Sequence, residues 1–421
     1  MDCWCKTGMV TQNKTTECLG DITRGKETSI VHKSYLSMVI AGTLLSGSAP
    51  AFADGLLFKE QRARLENKGI SFDVRALEDY VSVYKGGKVH KDTWLGRFDL
   101  GITLDTQKAG LYKGGKLHVS MMNAHGGLKP TVDMIGDLQT VSNIEAPRST
   151  RLYEAWYEQT LFDGTFSALA GLHDLNSEFA VSDSGALYIN SAFGIMPCIS
   201  ANTGTSIYPM PAPGVRVKFS PNEHVDVLAG VYDGDPGDPK INTHSTHLAL
   251  KSQDGLFSIA EGALHYNLPL AGGLPGTVKT GGWYNSRDVN DVSAVDDRGG
   301  PVQHDDNYGG YAIIDQTIYK ESEGQGLALF FMGGGAPQDR DTVQRHVGAG
   351  LNYTGSIPGR DADVLGVAFT SVQLSNKARA ANGKRGETTL EWTYRVNVND
   401  NFAIQPDIQY VMDPSGDPTI K

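Results

Sequence analysis

The sequence predicts an all-β protein whose antiparallel strands form one transmembrane barrel. Three observations lead to this fold class. Apolar and polar residues alternate with a period of two in segment after segment from Ile70 onward, as strands do when their two faces meet different surroundings. After residue 54 the sequence contains no run of about 18 or more uncharged apolar residues, so transmembrane helices are not predicted. The connections between the strands alternate between short and long, as in barrels that cross a membrane.

Residues 31–53 are predicted to be a secretory signal peptide. His32 and Lys33 give a weakly basic start, an apolar stretch covers 36–45, and the Ala-Phe-Ala sequence at 51–53 offers small residues for cleavage. The alternative interpretation of this segment is a short buried helix.

The segments on either side of the predicted signal are interpreted separately. Residues 1–30 show no periodicity and are interpreted as an over-extended N-terminus. The mature chain is predicted to begin at Asp54, with a short amphipathic periplasmic helix over 54–69 that Gly69 ends as a C-terminal cap. The barrel is predicted to occupy residues 70–421.

The clearest pair of strands lies within residues 151–173, on either side of the turn Phe162-Asp163-Gly164. The pattern predicts a β-hairpin with one apolar face and one mixed polar face. In its first strand the residues expected on the apolar face are Tyr153, Ala155, Tyr157 and Leu161, and those expected on the polar face are Glu154, Trp156, Glu158 and Thr160.

Fifteen strand candidates follow the predicted helix. Most alternate clearly, whereas 256–267, 277–285, 307–319 and 327–332 are less regular. In chain order the candidates are 70–76, 97–105, 116–121, 151–161, 166–173, 215–219, 224–231, 256–267, 277–285, 307–319, 327–332, 346–353, 363–370, 387–398 and 402–410.

The length of a connection depends on whether it follows an odd-numbered or an even-numbered strand candidate. Short turns at one rim and long loops at the other are the layout of outer-membrane barrels, so the apolar strand face is expected to meet lipid and the polar face to line the lumen. Tight connections after even-numbered candidates are 162–164, 221–223 and 399–401, and long ones after odd-numbered candidates are 124–149, 173–211, 286–305 and 371–386.

Fifteen strands are one short of the even number that bacterial barrels have. The sequence ends at Lys421, shortly after the loop-like segment 413–418. We therefore expect the last C-terminal strand to be missing, with an unpaired edge between 402–410 and 70–76. The alternative is a further strand within 244–267.

The inward-facing side chains supply the candidate binding residues. Guanidinium and carboxylate groups hydrogen-bond hydroxyl groups, and an indole stacks on apolar faces of a solute, so this set suits a lumen that binds neutral polar solutes. The alternative is that these residues only line a water-filled barrel. The candidates, assigned from strand parity, are Arg97, Glu154, Trp156, Glu158, Arg216 and Arg395.

The sequence gives little evidence for nucleic-acid binding, for an enzyme active site or for a metal site. The net charge of −11 argues against nucleic acid as a partner, and neither G-x-S-x-G nor H-E-x-x-H occurs. His173-Asp174 is at most half of a hydrolytic pair, because no motif places a serine. The acidic segment 233–238 suggests calcium but lacks the later bidentate glutamate of a twelve-residue calcium loop, so an acidic turn is the preferred interpretation. No catalytic residue, metal site or cofactor is predicted.

Several long motifs resemble one family, the carbohydrate-selective outer-membrane porins of the porin B (OprB) type. The resemblance extends over about residues 56–418 and includes Arg62, Leu65 and Gly69-Ile70 at its start. The motifs are GDLQTVSNIEAP (136–147), RLYEAWYEQ (151–159), AGLHDLNSEF (170–179), YINSAFGIMP (188–197) and QPDIQYVMDPSGDP (405–418).

The resemblance implies a sixteen-stranded barrel of the bacterial outer membrane with an inward-folded, arginine-containing constriction that passes monosaccharides such as glucose. It implies small sugars and outer-membrane lipid as partners, either a monomer or a homotrimer, and no enzymatic activity. Arg97 and Arg216 are expected at the constriction from strand position alone. The alternative function is a general or anion-preferring porin without sugar selectivity.

Overall fold

The computed structural model of the protein describes residues 37–46, 59–127, 130–246, 248, 250–270, 273–379 and 383–420. The predicted start segment 1–30 and the predicted cleavage site at Ala53 lie outside these residues. The strands are β1 (Ser37–Ser46), β2 (Ile70–Lys85), β3 (Asp92–Asp105), β4 (Gly115–Gly126), β5 (Ser149–Leu161), β6 (Phe166–His173), β7 (Ala212–Asn222), β8 (Val225–Asp233), β9 (Leu256–Leu268), β10 (Leu274–Asn285), β11 (Val289–Val295), β12 (Pro301–His304), β13 (Asn307–Ser322), β14 (Gln325–Gly335), β15 (Val343–Thr354), β16 (Val364–Leu374), β17 (Gly386–Asn399) and β18 (Phe402–Met412). The helices are α1 (Lys59–Glu66), α2 (Thr131–Met134), α3 (Ser191–Gly194) and α4 (Pro197–Ser200).

Sixteen strands form one closed antiparallel barrel, while β11 and β12 pair as a separate hairpin. Fifteen of the sixteen lie after residue 69, at the positions that the alternating pattern predicted. The sixteenth is β1, which pairs with β18 on one side and with β2 on the other. The expected open edge between 402–410 and 70–76 is therefore wrong for this structure.

β1 occupies part of the segment 31–53 that was interpreted as a signal peptide. Its ten residues, SMVIAGTLLS, are uncharged and suit the centre of a signal peptide as well as a strand in lipid, because a short apolar run has no periodicity that separates the two. Its backbone provides partners for groups of β2 and β18 that would each cost several kcal/mol if left open in lipid. Cleavage after Ala53 remains a prediction, and a chain cleaved there would not contain β1.

The two rims of the barrel differ as predicted. We call the rim with the long connections the loop rim and the opposite one the turn rim. The loop rim carries 127–148, 174–211, 234–255 and 286–306, and the turn rim carries 162–165, 223–224, 323–324 and 400–401.

The outer face of the barrel strands is apolar, which confirms the face assigned to lipid. On β16 the outward side chains include Leu365, Val367 and Phe369. Val367 lies beside Leu351 of β15 and Trp392 of β17, and all three are exposed on the barrel surface. No helix among the described residues is long and apolar enough to cross a bilayer.

Two long connections of the loop rim fold into the lumen. We call residues 130–148 loop A and residues 174–211 loop B. Loop B packs a buried apolar cluster against the inner wall, and the cluster contains Leu175, Phe179, Tyr188, Phe193, Met196 and Ile199 of the loop with Tyr232, Phe257, Ile259, Trp283, Ile313, Phe330 and Met332 of the strands. Loop A forms a smaller cluster with β2, β3 and β18, which contains Met134, Ile135, Val141 and Ile144 of the loop with Leu77, Val81, Leu95 and Val411 of the strands.

The apolar packing of loop B explains why β9, β10, β13 and β14 alternate poorly in the sequence. Many of their inner side chains are apolar and pack against loop B, while their outer side chains face lipid and are apolar as well. Phe330 and Phe331 of β14 illustrate this, since Phe330 is buried in the lumen and Phe331 is exposed outside. The prediction of a uniformly polar inner face is thus wrong for this half of the barrel, because the lumen there holds the apolar side chains of loop B.

Loop A is fixed to the wall by the carboxylate of Glu387. The backbone N–H groups of Leu138 and Gln139 each donate to this carboxylate at 2.7 Å. Ser415, beyond the end of β18, donates its backbone N–H to the same group at 2.7 Å. Glu387 is fully buried, so it joins the wall, loop A and the segment after β18 through bonds to one charged acceptor, which are stronger than neutral ones.

Loop B is fixed by three further buried carboxylates that follow one another around the wall. Glu261 of β9 accepts the N–H of Ala180 at 2.8 Å, and Asp315 of β13 accepts the N–H of Ser184 at 3.0 Å. Glu391 of β17 accepts the N–H groups of Ile189 at 2.7 Å and Asn190 at 3.2 Å. We call Glu261, Asp315, Glu387 and Glu391 the anchor carboxylates. Glu261, Asp315 and Glu391 hold loop B along the wall from β9 to β17, whereas Glu387 holds loop A, and none of the four lies on β2–β5.

Replacing Val367 by Arg tests whether the outer face meets lipid. We expect Val367→Arg to destabilise the barrel by about 2–4 kcal/mol, the cost of a cation on the lipid face near the bilayer centre. Urea unfolding in phosphatidylcholine vesicles measures the change. Ile357→Arg in the turn between β15 and β16 is the control and should cost ~1 kcal/mol or less near the interface. Equal costs for both variants would contradict the assignment of this face.

Replacing Glu391 by Gln tests the anchoring of loop B. The amide keeps one acceptor oxygen but turns an NH₂ group toward a donor, so one loop N–H is left unsatisfied. We expect amide hydrogen exchange in a peptide covering 187–195 to become about tenfold faster, as a loss of ~1.4 kcal/mol implies. Glu323→Gln in the exposed turn between β13 and β14 should leave exchange unchanged. Protection of 187–195 that stays the same in Glu391→Gln would show that the anchor is dispensable.

Candidate functional site

The lumen remains open between loop B and the wall on the side of β2, β3, β5, β17 and β18. A cavity of about 740 Å³ lies there, which is within the range of small-molecule sites. We call it the loop-side cavity. Its polar and aromatic lining includes Arg75, Arg97, Asn143, Tyr153, Glu154, Asp174, Tyr208, Arg395 and Gln405.

A second cavity of about 590 Å³, the turn-side cavity, extends toward the turn rim and reaches Ser322 and Gly324. Ala186, Leu187 and Arg395 line both cavities. We call these three residues the neck. The backbone carbonyl of Leu187 accepts a hydrogen bond from Gln405 Nε2 of β18 at 2.7 Å, so the loop side of the neck is tied to the wall.

Arg97 faces the lumen from β3, on the side predicted from strand parity. Its Nε donates to Asp99 Oδ1 at 2.9 Å. The guanidinium carbon lies 5.0 Å from the ring centroid of Tyr153 and 4.6 Å from that of Tyr208. The two aromatic contacts and the ion pair hold the guanidinium group in one orientation on the cavity wall.

Tyr153 lies inside the barrel, although the alternation placed it on the lipid side. The register between β4 and β5 shifts at this point, with Glu154 opposite Ser120 and Leu152 opposite Met121. Tyr153 is the extra residue of a β-bulge, so it points to the same side as Glu154. Strict alternation therefore fails here because the bulge changes parity by one residue.

Glu154 lines the loop-side cavity as predicted, next to Asp174 of loop B. Glu154 Oε1 accepts the backbone N–H of Asp174 at 3.1 Å. The Asp174 carboxylate accepts hydrogen bonds from the Tyr153 hydroxyl and from the N–H of Asn176. Burial raises the pKa of Asp174. The two carboxyl groups place acceptors for hydroxyl groups on the side of the cavity formed by β5 and the start of loop B.

Trp156 lies on the inner wall but is not among the residues that line the loop-side cavity. Its ring stacks on His118 with a centroid distance of 4.9 Å and meets the edge of His173 at 6.4 Å. His173 in turn stacks on Tyr232 and hydrogen-bonds its hydroxyl through Nδ1 at 3.0 Å. Trp156 is thus part of an aromatic row along β4, β5, β6 and β8.

Arg216 and Glu158 form an ion-pair cluster away from the lining of the cavity. Arg216 Nη2 donates to Glu158 at 3.0 Å and to Glu178 of loop B at 2.6 Å, while Nη1 donates to Ser167 at 2.6 Å. The Arg216 side chain is only 3% exposed. Its donors are directed to these neighbours, so the structure places Arg216 as a brace between the wall and the start of loop B.

Arg395 lies at the neck, and Arg75 faces the loop-side cavity from β2. Arg75 has the inward parity that the pattern predicts, but it was not among the candidates. Leu187 and Tyr208 belong to loop B and Asn143 to loop A, where no periodicity reveals which side chains will face the lumen. Of the six candidates, Arg97, Glu154 and Arg395 line the cavity and Trp156, Glu158 and Arg216 lie on the wall behind.

The alternative chemistries considered from the sequence have other structural explanations. His173 Nε2 lies 3.1 Å from Ser177 Oγ, but the partner on Nδ1 is the Tyr232 hydroxyl rather than the carboxylate of Asp174. In the acidic turn, Asp235 Oδ1 accepts the N–H of Gly237 at 3.0 Å and its Oδ2 pairs with Arg287 at 3.0 Å. The acidic side chains of this turn therefore serve to cap it.

One group of described residues has metal-ligand atoms within 4.8 Å of one another, namely Asp291, His304 and Asp339 at the loop rim. Lys377 Nζ lies 3.5 Å from Asp291, and Arg340 Nε lies 3.0 Å from Asp339. These two cations already neutralise the carboxylates, so the cluster is accounted for by ion pairs.

Asp137 of loop A is a buried titratable group. Its Oδ2 accepts hydrogen bonds from Thr131 Oγ1 at 3.2 Å and from the N–H of Val141 at 3.1 Å. Its Oδ1 is buried without a hydrogen-bond partner among the described residues. Burial, together with the nearby carboxylates of Glu387 and Glu145, raises the pKa of Asp137 to about 8.

Comparisons with known proteins agree with this architecture. Residues 90–421 match the model of a family described as carbohydrate-selective porin, OprB family. The chain is 23% identical over 411 residues to Porin B of Pseudomonas aeruginosa, with 85% of this chain and 86% of that protein covered. It superposes on the high-pH structure of Pseudomonas putida OprB with a TM-score of 0.67 at 17% identity, covering 91% of this chain and 95% of that one. The structural likeness supports the fold. Because the family match covers most of the chain, the protein belongs to the OprB family of carbohydrate-selective porins and is a β-barrel channel of the bacterial outer membrane.

Proposed function

We propose that the protein lets neutral monosaccharides such as glucose diffuse across the outer membrane through the loop-side cavity and the neck. The observation that carries this proposal is the cavity itself. It is the polar space left beside loop B, and guanidinium, carboxylate and phenol groups converge on it. These groups can exchange hydrogen bonds with several hydroxyl groups of one sugar ring. The family and the fold indicate a channel rather than an enzyme.

The predicted residues take different roles in this proposal. Arg97, Glu154 and Arg395 contact the sugar. Trp156, Glu158 and Arg216 act through position, because they brace the wall and the start of loop B. Passage requires contacts that are favourable but weak, so each should contribute about 1 kcal/mol, like a typical net hydrogen bond. Since the cavity lies inside one barrel, the proposal holds equally for a monomer and for each subunit of a homotrimer.

The second candidate function is a general or anion-preferring porin. Arg75 and Arg395 favour it, because neither guanidinium forms an ion pair with a described residue. Liposome swelling with a series of sugars and polyols separates the two functions. A sugar-selective channel passes glucose faster than linear polyols of similar mass, whereas a general porin ranks solutes by size alone.

Replacing Glu154 by Ala should weaken the block of ion current by glucose about fivefold, the factor that ~1 kcal/mol implies. Planar-bilayer recordings titrated with glucose give the blocking constant. Glu154→Gln keeps an acceptor for the Asp174 N–H and should have a smaller effect, which separates sugar contact from loop anchoring. Glu223→Ala in the exposed turn between β7 and β8 is the control. A blocking constant unchanged in Glu154→Ala would argue against Glu154 as a sugar contact.

Alkaline pH should loosen loop A through Asp137. Its folded-state pKa of about 8 is above the ordinary value of 3.8, so the contribution of this group to stability is full below about pH 3.8 and is lost as the pH rises through about 8. We expect fluctuations of the single-channel current to increase from about pH 7 to about pH 9. Asp137→Asn has no ionising group and should show a smaller increase. The same increase in both proteins would exclude Asp137 as its source.

A further inference from the structure

Two arginines that line the loop-side cavity, Arg75 and Arg395, have guanidinium groups without an ion-pair partner among the described residues. No hydrogen bond or ion pair joins the guanidinium group of Arg75 or Arg395 to another described residue, and the Nε of Arg395 is buried. The remaining interaction between the two groups is repulsive. Arg97 and Arg216 differ, since Arg97 pairs with Asp99 and Arg216 pairs with two glutamates. Arg151 differs as well, since its guanidinium group donates to the backbone carbonyls of Pro147 and Pro209.

The position of Arg395 places this charge on the path of a solute. Together with Ala186 and Leu187 it lines both the loop-side and the turn-side cavity. A solute that moves from one cavity to the other therefore passes the guanidinium group. Arg75 lies on the loop side of the neck, and Lys320 lines the turn-side cavity beyond it. Cationic groups thus follow one another along the path.

The loop-side cavity also contains carboxyl groups, and these limit what the arginines can hold. Glu154 and Asp174 line it on the β5 side. Asp79 lines it as well, but it is buried and accepts a hydrogen bond from the Ser142 hydroxyl. A simple inorganic anion would gain from the arginines and be repelled by the carboxylates. A neutral sugar would satisfy the carboxylates and leave the arginines without a counter-charge.

A ligand with an anionic group and several hydroxyl groups satisfies both sides of the cavity. Guanidinium groups bind carboxylate and phosphate oxygens through paired N–H donors, and carboxylates accept hydrogen bonds from hydroxyl groups. We propose that Arg75 and Arg395 form a subsite for the anionic group of an acidic monosaccharide, a sugar that carries one carboxylate or phosphate. This inference rests on the proposed sugar-channel function and extends its substrate class.

The experiment compares four blockers of the ion current in planar bilayers with the full-length protein at constant ionic strength. The blockers are glucuronate, glucose 6-phosphate, glucose and acetate. We expect at least one of the two acidic sugars to block at about tenfold lower concentration than glucose, because a charge-assisted contact is added, and acetate to block weakly. The more potent of the two identifies carboxylate or phosphate as the preferred anionic group.

Variants assign the effect to the two arginines. The double variant Arg75→Gln/Arg395→Gln should lose the preference for acidic sugars, so that glucose and both acidic sugars block at similar concentrations. The glucose block itself should weaken by about fivefold at most, because only the contact from Arg395 is changed and the contacts from Arg97 and Glu154 remain. Arg75→Lys/Arg395→Lys keeps the charge without the paired donors and should retain part of the preference for acidic sugars. This variant tests the two positions even if the glutamine variant does not fold. Arg298→Gln in the exposed loop before β12 is the matched control and should behave like the parent protein.

The outcomes separate this inference from the proposed function. Glucose block equal to that of both acidic sugars overturns the subsite and leaves the sugar channel standing. Acetate block as strong as that of the acidic sugars also overturns it, because the site would then select charge alone. A preference that survives in both double variants shows that other residues cause it. Absence of block by every sugar, neutral or acidic, overturns the subsite and the proposed function together.

Discussion

The fold of the lumen depends on one constraint, that backbone N–H groups placed inside a barrel need hydrogen-bond partners. Loop B has too little regular structure to satisfy its own backbone, and burying an unpaired N–H is costly. The anchor carboxylates meet this need from the wall, where each accepts one or more amides of loop A or loop B. A carboxylate has several acceptor positions in a small volume, so four side chains are enough to set the course of both loops.

The anchors and the apolar packing together move the open part of the lumen to one side. Loop B covers the inner faces of β9, β10 and β13–β16 with buried apolar contacts, while the β2–β5 wall keeps charged and aromatic groups in contact with the cavity. The channel is therefore bounded by a rigid loop on one side and by strands on the other. Its cross-section is set by how closely loop B is held to the wall, whereas its chemistry is set chiefly by the side chains opposite.

The sequence allowed the strands to be located because most of them repeat the same two-residue pattern, and that pattern also placed Arg97, Glu154 and Arg395 inside. It misassigned Tyr153, because a bulge shifts parity without a recognisable sequence signal. It did not reveal that the donors of Arg216 are occupied by ion pairs, since one of the two partners, Glu178, comes from loop B, 38 residues away in the sequence. The segment Ser37–Ser46 was assigned to export because a ten-residue apolar run fits both uses. Periodicity thus reports which face a residue takes, but not what occupies the space that it faces.

The separation between the support of loop B and the lining of the cavity has an evolutionary consequence. Arg75, Arg97 and Glu154 line the loop-side cavity from strands that contribute little to the large apolar cluster. Substitutions at these positions would therefore change the selectivity of the channel without disturbing that cluster. Substitutions among the anchors or in that cluster would alter the diameter and the stability at once. Related proteins that keep the anchors and the apolar cluster can therefore change which solutes they pass by single substitutions in the cavity wall. The diameter of the channel, which loop B sets, would stay the same.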